Sequence, residues 1–150
     1  MTSIGVIGCG YWGPNLIRNF AEHEAARLSW ICDTDEQRLA RVGRRYPSAR
    51  TTPDCRELFA DRQLDAVVIA TPVATHFPFA KAALEQGKHV LVEKPFTATR
   101  REAEELRELA EKRGLTLMVD HTFVYTGAVR KIKEIVASGE LGDLLYFDSV

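Results

Sequence analysis

Short blocks of β-branched and apolar residues alternate along this chain with longer stretches in which apolar positions recur every three or four residues. Ser3 to Gly8, Leu28 to Cys32, Asp65 to Ala70, His89 to Val92 and Leu115 to Val119 are near-continuous apolar runs, the pattern of strands buried on both faces. Between them, Leu16, Ile17 and Phe20 behind Pro14 predict a first helix that ends before Arg27. Leu39, Val42 and Tyr46 predict a second, opened by a capping box at Thr34 to Gln37. A short third strand is expected at Ala49 to Thr51, and a helix carrying Leu58 and Phe59 from Thr52-Pro53. Phe77, Ala80, Ala83 and Leu84 mark a helix stopped by Gly87. Thr99 to Glu102 reads as another capping box, ahead of an inward face of Ala103, Leu106, Leu109 and Ala110.

Strand and helix alternating in this way predict an α/β fold, a doubly wound parallel sheet with right-handed crossovers and strand order 3-2-1-4-5-6. After the sixth strand, Val129, Ile132, Ile135 and Val136 predict an amphipathic helix stopped by Gly139, and Leu144 to Val150 has strand character. The expected division is a nucleotide-binding domain over residues 1–124 and the start of a second, truncated α/β domain over 125–150.

Composition narrows the classes of function. The chain has 150 residues, 45% of them hydrophobic, enough for one domain with a core but not for a complete two-domain dehydrogenase. With 20 basic and 21 acidic residues, the net charge of -1 offers no footprint for nucleic acid or an anionic membrane. The run from Met1 to Gly8 has no basic start and is broken by glycines, so a cytoplasmic protein without signal peptide or membrane span is expected. Cys9, Cys32 and Cys55 have neither disulfide nor zinc spacing, and no metal site is expected. The charged stretch Arg100 to Arg113 alternates in sign and reads as a solvated helix face with a Glu108–Lys112 pair.

The candidate chemistry lies where strands end. Gly8-Cys9-Gly10-Tyr11-Trp12-Gly13 is G-x-G-x-x-G between a strand and a helix. Its first glycine permits the turn, its second lets a pyrophosphate approach the backbone, and its third permits close helix packing. Free N–H groups and the positive dipole end of the helix then face the phosphates. Gly8, Gly10, Tyr11, Trp12 and Gly13 are therefore candidate cofactor residues. A ligand-free turn, or a loop for FAD or S-adenosylmethionine, remains the alternative. Asp33, at the end of the second strand, is placed to accept both hydroxyls of an adenosine ribose, which selects NAD over NADP, while Arg38 could pack on adenine or soften that choice. The bland alternative for Asp33 is a helix cap. Thr71, Pro72 and His76 follow the fourth strand at the ligand-binding edge, with a helix cap or surface residue as the ordinary role for His76. Glu93-Lys94-Pro95 ends the fifth strand. There the Lys94 ammonium could hydrogen-bond a substrate hydroxyl, and Glu93 could anchor that lysine or the cofactor. A solvated ion pair is the competing reading.

These motifs together resemble the glucose-fructose oxidoreductase, inositol dehydrogenase and MocA family. The resemblance rests on the GVIGCGYWG opening, Asp33, Ala70-Thr71-Pro72, Glu93 to Pro95, and the segment from His121 to Val150. That last segment is similar to members acting on nucleotide-linked sugars, such as UDP-N-acetylglucosamine 3-dehydrogenases. The resemblance implies hydride transfer between NAD and a ring carbinol of a sugar, sugar nucleotide or cyclitol, with Lys94 on the reacting hydroxyl and His121 and Tyr125 bordering nicotinamide and substrate. An ordinary strand-end histidine and a packed aromatic are the alternatives for those two. It implies as well a second domain carrying the substrate pocket, an acid/base histidine and the interface of a homo-oligomer. Thr126-Gly127 stands where the family often has Asn-Pro. A stand-alone NAD-sensing module, or another two-domain Rossmann enzyme of the imine or biliverdin reductase type, would share the glycine loop.

Overall fold

A computed structural model describes residues 1–148. Six strands alternate with helices: β1 (Thr2–Ile7), α1 (Gly13–Glu22), β2 (Ala26–Cys32), α2 (Glu36–Arg45), β3 (Arg50–Thr52), α3 (Cys55–Ala60), β4 (Ala66–Ile69), α4 (His76–Glu85), β5 (His89–Val92), α5 (Arg100–Arg113), β6 (Leu117–Val119) and α6 (Gly127–Ser138). The strands form one sheet in the order β3-β2-β1-β4-β5-β6, all parallel, as the alternation requires.

Side chains that alternate along each strand build a core on each face. Ile4, Val6, Ile31 and Val68 pack with Leu16 and Ile17 of α1 and Leu39 and Val42 of α2. Ile7, Val67, Ile69 and Val92 pack on the other face with Leu58 of α3, Leu84 of α4 and Leu106 of α5. Each such residue, once fully buried, contributes roughly 1.5 to 3 kcal/mol. Cys9 and Cys32 are buried in these layers, and all three cysteines are free. No helix among the described residues is long and apolar enough to cross a membrane.

Several local expectations are corrected. Helix α2 is capped by Asp35 rather than by a Thr34–Gln37 box. The Asp35 carboxylate accepts the N–H groups of Gln37 and Arg38, each at 3.0 Å, and an acceptor one residue nearer the helix makes Thr34 unnecessary. Helix α3 starts at Cys55 under an Asp54 cap, because Thr52 is spent in β3 and on the Asp54 N–H at 3.0 Å. The box at Thr99 and Glu102 is present. β6 begins only at Leu117, since the Leu115 N–H closes the end of α5 on the Ala110 carbonyl and the Thr116 N–H donates to His89 Nδ1 at 2.9 Å. On α5 the ion pairs are Arg100–Glu104 and Arg107–Glu111, with Glu105 reaching Lys81, and not Glu108–Lys112. Exposed pairs are worth a few tenths of a kcal/mol, so composition does not select among them.

The chain divides into two compact units, Met1–Asp120 and a second from His121 onward, where the sequence suggested a boundary near Val124. The second unit holds a turn at Thr122–Tyr125 and α6, which Gly139 ends at φ 77°. Leu144 to Asp148 form no strand and leave Leu145, Tyr146 and Phe147 exposed, because no strand among the described residues pairs with them. The last two positions of that expected strand, 149 and 150, lie outside the described residues.

Candidate functional site

In the first unit the expected site residues gather at the carboxyl edge of the sheet. Gly8 leaves β1 with φ 103°, a conformation that side chains rarely adopt, and its N–H donates to the Cys32 carbonyl at 2.8 Å. Gly13 opens α1 against Gly8: a Cβ there would collide with the Gly8 carbonyl oxygen. The helix therefore starts directly on the strand end. Gly10 faces open space, and a Cβ added to it meets nothing closer than Arg38 Nη1 at 3.9 Å. Trp12 makes no side-chain cap and no acidic residue lies in the first turn; Pro14 has no N–H and the Asn15 N–H turns back on the Trp12 carbonyl at 2.9 Å, so the Gly13 N–H and the positive end of α1 are left for an anion. Tyr11 and Trp12 stack on one another at 6.5 Å, with Tyr11 fully exposed.

Asp33 joins this loop to β2. One carboxylate oxygen accepts the Cys9 N–H at 2.5 Å and the other the Asp35 N–H at 2.8 Å. These bonds orient the carboxylate beside the glycine loop and leave each oxygen a further lone pair for a ribose hydroxyl. Burial, reinforced by the Asp33 charge, pushes the Cys9 thiol up to about 12, so it stays protonated and inert. Arg38 is held by Asp35, Nε to Oδ2 at 3.1 Å, with its guanidinium near Gly10.

On the other side, His76 is buried rather than a surface cap. Its Nε2 lies 2.7 Å from the Thr71 carbonyl oxygen and its Nδ1 lies 2.9 Å from that of Pro95. The imidazole thus ties the turn after β4 to the turn after β5. Within the first of these, the Thr75 hydroxyl donates to the Thr71 hydroxyl at 2.7 Å, and the Thr75 N–H donates to the Pro72 carbonyl at 2.9 Å. Within the second, the Lys94–Pro95 peptide is cis, and the Lys94 N–H donates to Glu93 Oε2 at 3.0 Å. Glu93 is buried while Lys94 is exposed. Burial, with a hydrogen bond to the Asp120 side chain, holds the Glu93 carboxyl above the usual carboxylate range. Glu93 is not an ion-pair partner placed in solvent.

Gly8, Gly10, Gly13, Asp33, Arg38, Thr71, His76, Glu93 and Lys94 thus line one edge of one unit. His121 and Tyr125 belong to the second unit, at the two ends of its first turn, and Tyr125 is exposed. Sequence reasoning passed over Asp35, which holds Arg38, and Asp120, which follows β6 as Glu93 follows β5. That shared position was the signal available. A cavity of about 400 Å³ between α5 and β6, lined by Phe96, Arg100, Arg107 and Leu117, takes no residue from this edge.

The open space at Gly10, the uncapped N-terminus of α1 and the oriented Asp33 carboxylate fit a dinucleotide. Comparisons with known proteins agree. Residues 2–121 match the model of the oxidoreductase family with an NAD-binding Rossmann fold, Gfo/Idh/MocA. The oxidoreductase YdgJ of Escherichia coli (strain K12) is 39% identical over 147 residues, 97% of this chain and 42% of that protein. The scyllo-inositol 2-dehydrogenase (NADP(+)) IolW of Bacillus subtilis (strain 168) is 29% identical over 146 residues, 94% of this chain and 39% of its own. The crystal structure of GenD2 from gentamicin A biosynthesis, in complex with NAD, superposes with a TM-score of 0.88 at 32% identity, covering 93% of this chain and 40% of that one. This chain spans about two-fifths of the length of each. It belongs to the Gfo/Idh/MocA family of oxidoreductases, of which residues 2–121 are the NAD(P)-binding Rossmann domain.

Proposed function

We propose that this chain is the cofactor-holding part of an enzyme that transfers hydride between NAD and a ring carbinol of a sugar, sugar nucleotide or cyclitol. The observation that carries the reading is the Glu93–Pro95 turn. It presents an exposed Lys94 at the same sheet edge as the glycine loop, and His76 and the Glu93 side chain hold it in place. IolW, which acts on an inositol, supports the substrate class. Preference for NAD rests on Asp33, whose carboxylate would accept the ribose hydroxyls and repel a phosphate added to them. IolW uses NADP(+) and GenD2 was solved with NAD, so the family itself leaves that choice to the individual chain.

The α1 N-terminus and the Gly8–Gly13 loop would bind the pyrophosphate, and Asp33 with Arg38 the adenosine end. NAD held there would supply the acceptor for hydride from the carbinol carbon. Lys94 would hold and orient the carbinol oxygen by a hydrogen bond and help pass its hydroxyl proton to solvent as the hydride leaves; in the reverse direction it would stabilise the negative charge that grows on the carbonyl oxygen as hydride arrives. Glu93 and His76 keep the turn that carries Lys94 rigid.

The test is turnover by the protein as encoded, with a panel of UDP-sugars and inositols, before and after Lys94→Ala. The substitution should lower turnover about 100-fold while NAD affinity stays within a few-fold. An unchanged rate would return Lys94 to the role of a solvated strand-end residue.

A further inference from the structure

The ends of β5 and β6 carry two acids side by side. Parallel pairing sets Val92 against Val119, and the Asp120 N–H donates to the Val92 carbonyl at 2.8 Å, so Glu93 and Asp120 leave the sheet as neighbours. Like charges placed directly across two strands repel unless a proton lies between them. Glu93 is 9% exposed, and Asp120 Oδ2 is buried with no hydrogen-bond partner. A buried carboxylate oxygen without a donor costs stability and calls for one. The adjacent group able to supply it is the Glu93 carboxyl in its protonated form, the form that burial and the neighbouring Asp120 both favour. The Oε2 atom of Glu93 is already engaged, accepting the Lys94 N–H at 3.0 Å. One protonated carboxyl therefore satisfies both neighbours: its hydroxyl serves Asp120 and its other oxygen serves the backbone of Lys94.

We infer that Glu93 and Asp120 share a single proton, and that Asp120 acts through it as a positioning residue for Lys94. The inference deepens the proposed function, on which its link to turnover rests. The charged groups facing Glu93 are Asp120 from β6 and Lys94 on its own turn, and His76 of α4 holds the Pro95 carbonyl two residues on. Burial and Asp120 both favour the protonated carboxyl; the Lys94 N–H and ammonium favour the ionised one and are outweighed. Removing the proton would set two negative charges at the ends of adjacent strands and loosen the turn that presents Lys94.

The test is a carboxyl ¹³C NMR titration of the 150-residue chain, read together with the Lys94 amide resonance. Glu93 should remain protonated well above the midpoint of about 4.3 of a free glutamate, and the Lys94 amide should move on the same curve. Asp120→Asn should lower the Glu93 midpoint by roughly one pH unit or more, a tenfold or larger fall in proton affinity. Glu93→Gln keeps a donor for Asp120 and an acceptor for Lys94, and should leave the Lys94 amide flat over that range. A Glu93 midpoint in the ordinary range, or one that Asp120→Asn leaves in place, overturns the shared proton. In the protein as encoded, the pH profile of turnover should bend at the same midpoint and move with it in Asp120→Asn; a bend that stays put overturns the positioning role. Absence of NAD binding would count against the proposed function alone, because the carboxyl titration requires no cofactor.

Discussion

Gly10 and Gly13 belong to one motif, yet alanine at each should fail in a different way. At Gly13 a methyl group would overlap the Gly8 carbonyl oxygen and sit 2.9 Å from its carbon, inside the 3.5 to 4.0 Å of ordinary carbon contacts. The obstacle is backbone, so α1 would have to retreat from the end of β1, loosening the buried Leu16 and Ile17. Overpacking of this kind costs on the order of 3 kcal/mol, which in a domain of this size lowers the melting temperature by roughly 6 to 12 °C. At Gly10 the backbone φ is not positive and the nearest atom to an added Cβ is 3.9 Å away. Stability should hold or rise, since Gly→Ala at a compatible site gains about 0.4 to 1 kcal/mol. The added methyl would instead stand where the pyrophosphate meets the loop. Losing two charge-assisted hydrogen bonds there is worth about 3 kcal/mol, or roughly 100-fold in NADH affinity. Thermal unfolding followed by circular dichroism, beside NADH fluorescence titration, separates the two effects. If Gly10→Ala melts as early as Gly13→Ala, or binds NADH as the wild type does, this account of the glycine loop is wrong.

Other expectations follow from single contacts. Calorimetric titration should find NAD bound more tightly than NADP, and Asp33→Ser should narrow the gap by roughly 1 to 3 kcal/mol; equal wild-type affinities would remove Asp33 from the discriminating role. Lys88 is buried, with its ammonium on the Asp61 and Leu64 carbonyls at 2.6 and 2.7 Å, so Lys88→Met should cost about 3 kcal/mol in urea unfolding. A loss within experimental error would mean that those carbonyls are satisfied in other ways. The Trp30 indole N–H, first, and the Gln63 N–H hold the Asp61 carboxyl below its usual range. That contribution to stability is present above the unfolded midpoint of about 3.9 and is lost as pH falls through the lower folded one. The stability gap between wild type and Asp61→Asn should therefore shrink on acidification from about pH 7 to pH 3, and a constant gap would contradict the assignment.

Local chemistry determined the order of elements in this protein. Apolar runs without helical spacing, the Thr99–Glu102 box, and Gly87 and Gly139 after their helices each act within a few residues, so strands, helices and their parallel arrangement were legible along the chain. The glycine loop, Asp33 and Lys94 were legible for the same reason: each directly follows an apolar run, and in a doubly wound sheet the ends of such runs share one edge. Element ends were less so. Thr34 and Asp35 both offer an acceptor to α2, and three-dimensional placement selected the second. What local pattern could not supply was the pairing of distant residues. His76 meets a carbonyl 19 positions away, and Asp120 meets Glu93 only because β5 and β6 lie side by side in matched register. Those contacts bury a histidine and a carboxyl that each look like surface residues in the sequence. Burial and a neighbour's charge, which decide what such a group does, arise only when the sheet is assembled.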